Sequence, residues 1–270
     1  MKKKIWRIIA IILLVIVAIS LWFEVPVVER IDVDSEGKVN DPVRFALVTD
    51  LHSCYYGKDQ NKLVEMIQKQ DVDAVLLSGD IFDDKVKDDN SKIFLEHIVD
   101  EYPCFYVTGN HEFWSKREKE IKEYLASIGV TVLEGNYESF SVNGCTVDIC
   151  GVDDPTYMGE DNWKKQLASA LPESDNYKIL LSHRPEKVDI YDDYSFDMIV
   201  SGHAHGGQWI IPFWKHGVAA PNQGLFPKYV DGMYNLSNGT KLVVSRGLSR
   251  ERMPLPRFFN HPEVVVIEVR

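Results

Sequence analysis

Five short apolar runs in this chain each end at side chains that bind metal ions well. The runs cover residues 45–49, 74–78, 105–108, 179–182 and 198–201. The motifs that follow them are Asp50-Leu51-His52, Gly79-Asp80-Ile81-Phe82-Asp83, Gly109-Asn110-His111-Glu112, His183 and Gly202-His203-Ala204-His205. Runs of this length are typical of buried strands, and strands of shared sheets place their ends on one rim. Carboxylate, amide and imidazole ligands would then converge to bind two divalent cations, which predicts a dinuclear metal hydrolase.

The motifs differ in how strongly each indicates a metal site. Asp50 and His52 project to the same side of an extended chain, although this spacing is common. Asp80 follows a glycine, where the backbone turns tightly, and a turn capped by the aspartate explains this motif equally well. His203 and His205 lie in a segment bounded by glycines, and packing alone explains them poorly because a histidine without partners is costly to bury.

Composition limits the possible partners of the chain. A length of 270 residues fits one large α/β domain, and we expect a monomer. The formal charge of -11 argues against nucleic acid as the main partner, because surfaces that follow a phosphate backbone are normally basic. The four cysteines show no CxxC spacing, which favours free buried thiols over a zinc knuckle or a redox motif.

The amino terminus has the pattern of a membrane anchor. Residues 1–4 contain three lysines, and residues 5–23 are apolar apart from Arg7 and Ser20. This is close to the roughly 20 residues that cross a bilayer. A cleaved signal peptide is the alternative, but the bulky 21–23 segment better fits an aromatic anchor at the membrane interface. The lysines predict a cytoplasmic amino end and therefore an extracytoplasmic domain.

The rest of the chain predicts an α/β domain on a short linker. Residues 24–42 carry mixed charge and are predicted to form a stalk, and residues 43–270 form the domain. Helical patterns cover residues 58–70, 91–101, 115–128 and 161–170. Alternating apolar and polar residues follow from Tyr137, with a hairpin turn at Asn143-Gly144. This order fits two mixed sheets packed face to face with helices outside.

Together, the motifs D-x-H, G-D-x-x-D, G-N-H-E, an isolated His and G-H-x-H resemble those of the calcineurin-like metallophosphoesterase family, over nearly all of residues 43–270. The apolar amino terminus and the segments at 151–155, 182–185 and 207–208 are similar to those of membrane-associated bacterial phosphoesterases of the YaeI and YkuE type. The resemblance implies a four-layer α/β/β/α sandwich with metal ions at the strand ends.

The same resemblance implies a role for each motif residue. One ion would be held by Asp50, His52, Asp80 and His205, and the other by Asp80, Asn110, His183 and His203. His111 would donate a proton to the leaving oxygen, oriented by Asp83, with the neighbouring Asp84 as a solvated alternative. This mixture of ligands accepts manganese, iron or zinc.

These roles predict a membrane-anchored phosphoesterase that uses metal-activated hydroxide on a phosphodiester or pyrophosphate bond. The membrane tether makes a lipid-linked or cell-envelope substrate attractive. Arg184 either binds substrate phosphate or forms a surface ion pair, and the apolar stretch 209–214 either contacts acyl chains or packs on the domain. The alternative function is a catalytically silent, metal-holding binding or scaffold protein of the cell surface.

Overall fold

The computed structural model describes residues 4, 6, 7, 11, 22–211, 216–250 and 257–270. Most of the predicted transmembrane segment 5–23, and residues 212–214 of the apolar stretch, lie outside the described residues. Within the described part of the chain, none of the helices combines the length and the apolarity that crossing a bilayer requires.

The domain is built from short strands and helices that alternate over much of the chain. The strands are β1 Val27–Val33, β2 Val43–Val48, β3 Ala74–Ser78, β4 Cys104–Val107, β5 Thr131–Val132, β6 Asn136–Val142, β7 Cys145–Gly151, β8 Tyr177–Leu181, β9 Met198–Ser201, β10 Ile210–Ile211, β11 His216–Gly217, β12 Ala219–Ala220, β13 Gly224–Leu225, β14 Gly232–Asn235, β15 Lys241–Val244 and β16 Glu263–Val269. The helices are α1 Asn61–Gln68, α2 Asp89–Val99, α3 Asn110–Trp114, α4 Glu118–Ser127, α5 Glu160–Ala170 and α6 Val188–Tyr191. Two 3₁₀ turns cover Lys58–Gln60 and His205–Gly207.

Two six-stranded mixed sheets form the centre of the fold, as the sequence predicts. The first has the order β1-β16-β2-β3-β4-β5, and the second has the order β14-β15-β9-β8-β7-β6. Strands β2, β3 and β4 run parallel, as do β7, β8, β9 and β15. The carboxyl ends of the parallel strands in each sheet therefore lie at one edge.

Among the described residues, buried apolar clusters hold the layers together. Apolar side chains such as Phe45 of β2 and Ile179 of β8 meet between the two sheets. Leu63 of α1 and Phe94 of α2 pack on the other face of the first sheet. Trp163 of α5 packs on the outer face of the second sheet. The layers therefore run helix, sheet, sheet, helix.

The prediction that residues 24–42 form a stalk is wrong for Val27–Val33, because these residues form strand β1 of the first sheet. This strand pairs in parallel with β16 along its whole length, from Val27 opposite Glu263 to Val33 opposite Val269. Its β-branched residues suit a half-buried strand, and Val33 is fully buried. The domain thus begins only a few residues after the predicted anchor.

Each predicted helical pattern coincides with a helix, and the structure contains a further helix, α3, that the sequence did not predict. The pattern at 115–128 corresponds to α4, which begins at Glu118, and a separate helix, α3, precedes it from Asn110. Three of the four residues of the G-N-H-E motif therefore lie in α3. Asn110 and His111 occupy the first turn of α3.

Candidate metal centre

The predicted ligands lie where parallel strands of the two sheets end. Asp50 follows β2 and Asp80 follows β3 in the first sheet, whereas His183 follows β8 in the second. His183 Nε2 is 3.1 Å from Asp80 Oδ2 and 3.9 Å from Asp50 Oδ1. The edges of the two sheets thus meet at one site, and side chains more than a hundred residues apart come into contact.

The ligand atoms around Asp80 fall into overlapping groups, each with its atoms within 4.8 Å of one another among the described residues. His111 belongs to two of these groups, one with His52 and Asp80 and one with Asp83 and Asp84. The predicted ligands form two others, namely Asp50 with His52 and His205, and Asp80 with His183 and His203. Asp80 Oδ2 is also 3.7 Å from His52 Nε2, and so it faces both groups. This placement is the one that a bridging carboxylate requires.

Three buried atoms at the bottom of the site form no hydrogen bond of good geometry among the described residues, although two of them face each other at 3.1 Å. They are Asp80 Oδ2, Asn110 Oδ1 and His183 Nε2. The other polar atoms of two of these side chains are satisfied, since His111 N–H donates to Asp80 Oδ1 at 2.8 Å and His183 Nδ1 donates to Ser78 O at 2.8 Å. An unsatisfied buried polar atom costs about 1–3 kcal/mol, and bound cations would remove this cost. The residues therefore fit divalent metal ions.

In two of the histidines, one ring nitrogen contacts a protein side chain, which leaves the other ring nitrogen to bind a metal. His52 Nδ1 is 3.2 Å from Asp83 Oδ2, so Nε2 faces Asp80. His203 Nε2 lies 2.8 Å from both Asn222 Oδ1 and Arg184 Nη1, so the protein occupies this nitrogen and Nδ1 is the one that remains for a metal. Such outer partners fix the tautomer and the ring orientation of metal-binding histidines.

Charge in the site favours a cation. Burial opposes protonation of His183, but the carboxylates of Asp80 and Asp50 outweigh it and raise its pKa to about 10. Burial and the guanidinium of Arg184 lower the pKa of His203 to about 3, so this ring is neutral and can act as a ligand. The negative charge around His183 comes from Asp80 and Asp50. A bound cation would neutralise this charge in place of the proton on His183.

The backbone at five of the predicted ligands is left-handed. The φ angles are 51° at Asp50, 48° at His52, 52° at Asp80, 64° at His203 and 47° at His205. Non-glycine residues seldom adopt this conformation, which costs about 1–3 kcal/mol each and is concentrated at functional sites. These backbone conformations thus lower the stability of the fold but direct the five side chains toward one point.

Two glycines of the motifs are required for close packing around the carboxylates. A Cβ atom at Gly109 would lie 2.2 Å from Asp80 Oδ1, and one at Gly202 would lie 2.3 Å from Asp50 Oδ2. Gly247, which the sequence did not single out, is also essential: a Cβ there would lie 2.6 Å from that of Asp50, and its φ is 68°. The sequence feature that could have indicated its importance is its position just after β15, which ends at the same edge of the second sheet as β9.

Glu112 is a second functional residue to which the sequence assigned no role. Its Oε2 accepts hydrogen bonds from Asp80 N at 3.0 Å and from Gly109 N at 2.8 Å, and its Oε1 accepts one from Phe82 N at 3.0 Å. Burial and the nearby Asp80 raise its pKa to about 7. Glu112 therefore fixes the start of α3 against the loop that carries the bridging carboxylate.

His111 lies at the mouth of the site, with a partner that differs from the expected one. Its Nδ1 is 2.7 Å from Asp84 Oδ1 but 3.8 Å from Asp83 Oδ2. Asp84, expected to be solvated, is largely shielded, and Asp83 turns inward to His52. The carboxylate that contacts His111 in this structure is therefore Asp84 and not the expected Asp83. His111 Nε2 lies 3.9 Å from Asp80 Oδ2.

The structure contradicts the surface ion pair that the sequence offered for Arg184, whereas its contact with substrate phosphate stays a prediction. Arg184 is only 6% exposed, and its Nε and Nη2 form a two-pronged ion pair with Asp154. Its Nη1 lies 2.7 Å from Asn222 Oδ1 and 2.8 Å from His203 Nε2. All three nitrogens thus contact the protein, and Arg184 supports the residues behind His203 instead of forming a surface ion pair.

Comparisons with known proteins agree with this geometry. The family model "Calcineurin-like phosphoesterase" matches residues 43–207. A protein of Helicobacter pylori strain J99 named an uncharacterized metallophosphoesterase is 31% identical over 86% of this chain and 61% of its own. The uncharacterized metallophosphoesterase YkuE of Bacillus subtilis is 28% identical over 85% of this chain and 80% of its own.

Solved structures share the fold. The NAD nucleotidase NadN of Haemophilus influenzae superposes with a TM-score of 0.55 at 16% identity, over 78% of this chain and 46% of that one. At this identity the likeness concerns the fold alone. The chain spans about three-fifths of the length of the Helicobacter relative. The matched family model and the site at the strand ends together show that the chain belongs to the calcineurin-like phosphoesterase family.

Proposed function

We propose that this protein is a dinuclear-metal phosphoesterase that hydrolyses a phosphodiester or pyrophosphate bond. The observation that carries the proposal is the position of Asp80 Oδ2, a buried oxygen that lies 3.1 Å from His183 Nε2 and 3.7 Å from His52 Nε2 and so faces ligand nitrogens on both sides. When bound, two divalent cations lower the pKa of a water molecule and neutralise charge on the phosphoryl oxygens.

The ligands divide into two sets that share the bridging residue. Asp50, His52, Asp80 and His205 would hold one cation, and Asp80, Asn110, His183 and His203 would hold the other. Carboxylate, amide and imidazole donors in this mixture suit manganese, iron or zinc. The left-handed backbone at Asp50, His52 and Asp80 prepares these ligands before metal arrives.

His111 is the proton donor in this proposal. Asp84 accepts the hydrogen of Nδ1 and so holds the ring with Nε2 directed toward Asp80 and the reacting phosphoryl group. Protonation of the leaving oxygen by a positioned group contributes roughly a hundredfold to ten-thousandfold in rate. The partial exposure of the ring lets it take up a proton from solvent after each turnover.

We also propose that the protein is a single-pass membrane protein whose domain lies on the extracytoplasmic side. The apolar sequence of residues 5–23 and the lysines before it support this arrangement. A tether raises the local concentration of membrane-borne substrates, and so a lipid-linked or cell-envelope phosphoester is the preferred substrate class.

The test is hydrolysis of a chromogenic aryl phosphodiester and of an aryl pyrophosphate by the full chain loaded with manganese, zinc or iron. We expect turnover that a chelator abolishes and one of these ions restores. Turnover that is insensitive to the chelator would contradict the proposal. Metal-loaded, folded protein that hydrolyses neither substrate would favour the silent scaffold, with the Asp80→Ala variant defining the background rate.

A further inference from the structure

An exposed apolar surface lies beside the metal centre. We call it the aromatic face, and it comprises Trp22, Phe23, Val25, Leu225, Phe226, Phe258 and Phe259. Relative exposure reaches 72% for Leu225, 68% for Trp22 and 62% for Phe226. Single exposed apolar residues are ordinary, but a contiguous patch marks an interaction surface.

Contacts connect the two ends of the aromatic face. The rings of Phe23 and Phe259 lie 4.8 Å apart between centroids, and Phe258 lies 5.8 Å from Trp209. The backbone of Val218 joins Trp209 to Phe226, because its N–H donates to Trp209 O at 2.9 Å and its oxygen accepts from Phe226 N at 2.9 Å. The exposed hairpin at Leu225 is thus tied to the segment that packs on Phe23.

The apolar amino-terminal sequence ends on this same face. Residues 5–21 precede Trp22 directly, and the chain is fastened immediately afterwards. His261 Nδ1 donates to Val25 O at 2.9 Å, and Val27 N donates to Pro262 O at 2.9 Å as β1 begins. The point at which an anchor would leave the bilayer is therefore held against the domain, with no flexible stalk between them.

The aromatic face also borders the metal centre. Asn260, which follows Phe259, donates hydrogen bonds to His205 O at 2.8 Å and to Gln208 O at 3.0 Å. His205 Nε2 lies 3.7 Å from Asp50 Oδ1. The buried Asn260 thus links the segment that carries Phe258 and Phe259 to the backbone of a predicted metal ligand, which places this end of the aromatic face on the His205 side of the metal centre.

We propose that the aromatic face rests on the surface of a lipid bilayer and holds the metal centre at the level of the lipid head groups. Tryptophan and other aromatic residues favour this interfacial region, and the occupant is a bilayer because the apolar segment ends within the face. The proposal rests on the membrane anchor and the phosphoesterase activity proposed above. It narrows the substrate class to phosphoesters carried by membrane lipids.

The first test measures depth and needs no hydrolysis. Nitroxide labels are placed by Leu225→Cys and Phe259→Cys in the full chain, reconstituted in vesicles of phosphatidylcholine and phosphatidylglycerol. We expect both labels to be more accessible to oxygen than to a water-soluble nickel chelate. A label at Tyr137→Cys, an exposed position on β6, should show the opposite order. The native cysteines are buried, and unsubstituted protein gives the labelling background.

Two results would overturn the docking proposal. One is equal exposure of the labels at positions 225, 259 and 137 to the nickel chelate. The other is dipolar broadening between labels at position 225 that grows with protein density in the vesicles, which would assign the face to a second copy of the chain. Immersed labels in a protein that hydrolyses no phosphoester would instead sustain docking and contradict the proposed activity.

The second test compares substrates. Leu225→Asp places a charge in the face and should lower turnover of a lipid-carried phosphodiester by about tenfold or more, as expected for losing one buried leucine contact. Turnover of a soluble aryl phosphodiester should not change. Tyr137→Asp, the matched control, should leave both rates as they are, and an equal loss on both substrates with Leu225→Asp would contradict docking.

Discussion

The metal centre has a floor and a rim that differ in burial and in hydrogen bonding. The floor consists of Asp80, Asn110 and His183, whose side chains are buried and which each keep one polar atom that forms no hydrogen bond of good geometry among the described residues. The rim consists of His111 and Asp84, which bond to each other and retain 16% and 13% side-chain exposure. The floor is prepared to bind an ion, whereas the rim is prepared to exchange a proton with solvent.

The difference shows how one site separates binding from chemistry. Desolvation strengthens the attraction between carboxylates and a cation, so ligands are best placed in the buried floor. A proton donor must be recharged between turnovers and gains from contact with water. Substitutions in the floor should therefore change both metal content and rate, and substitutions in the rim should change the rate alone.

The largest effect is expected for Asp80→Ala. In the proposed assignment Asp80 bridges both ions, so its removal would take ligand atoms from each of them, and turnover should fall by more than roughly ten-thousandfold, beyond the range for losing a general acid. Metal content, measured by mass spectrometry after gel filtration, should fall with it. Retention of both ions would contradict the bridging role.

Two controls separate this loss from misfolding. Asp71→Ala removes a carboxylate that is 98% exposed and should change neither metal content nor rate. Asp80→Asn retains an oxygen that can accept the hydrogen bond from His111 N. It should keep the thermal unfolding temperature close to that of the parent while still losing metal.

A smaller effect is expected for His111→Ala, the corresponding change in the rim. Metal content should be unchanged, and turnover should fall by roughly a hundredfold to ten-thousandfold. Because the loss arises from poor protonation of the leaving oxygen, it should shrink for aryl leaving groups of low pKa. Rates for a series of aryl phosphodiesters measure this dependence, and equal losses across the series would refute the proton-donor role.

Substitutions of the adjacent Asp83 and Asp84 should separate an effect on metal binding from an effect on the proton donor. Asp84→Asn should lower turnover by about tenfold to a hundredfold at constant metal content, because it weakens the hold on His111. Asp83→Asn should instead lower metal affinity by about tenfold to a hundredfold, because Asp83 orients His52. Metal titrations together with saturated rates separate these effects, and the reverse pattern would restore Asp83 as the partner of His111.

The floor was more predictable from the sequence than the rim. Each floor residue follows an apolar strand run, and the carboxyl ends of parallel strands share one edge, so the pattern alone indicated their convergence. The partner of His111 was not predictable, because Asp83 and Asp84 are adjacent and only the turn decides their directions. Lys85 N and Val86 N both donate to Asp83 Oδ1 at 2.7 Å and so turn this side chain inward.

Contacts between residues far apart in the sequence account for the other differences between the predictions and the structure. Strand β1 reads as a charged linker because its partner, β16, lies at the other end of the chain. Gly247 follows β15, but only the structure shows that a Cβ atom there would collide with Asp50, nearly two hundred residues away. Arg184 lies next to His183 in a motif, and only the structure shows that Asp154 engages it.

The smallest effect on catalysis is expected for Arg184→Met, although it alters a charge near the floor. The change leaves Asp154 buried without its partner and should lower the free energy of unfolding by about 3–5 kcal/mol. The KM for a small soluble phosphodiester should not change, because the guanidinium nitrogens contact protein groups. The double variant Arg184→Met with Asp154→Leu removes the unpaired charge and should recover much of the lost stability in denaturant unfolding. A large increase in KM with unchanged stability would instead place Arg184 in the rim as a phosphate ligand.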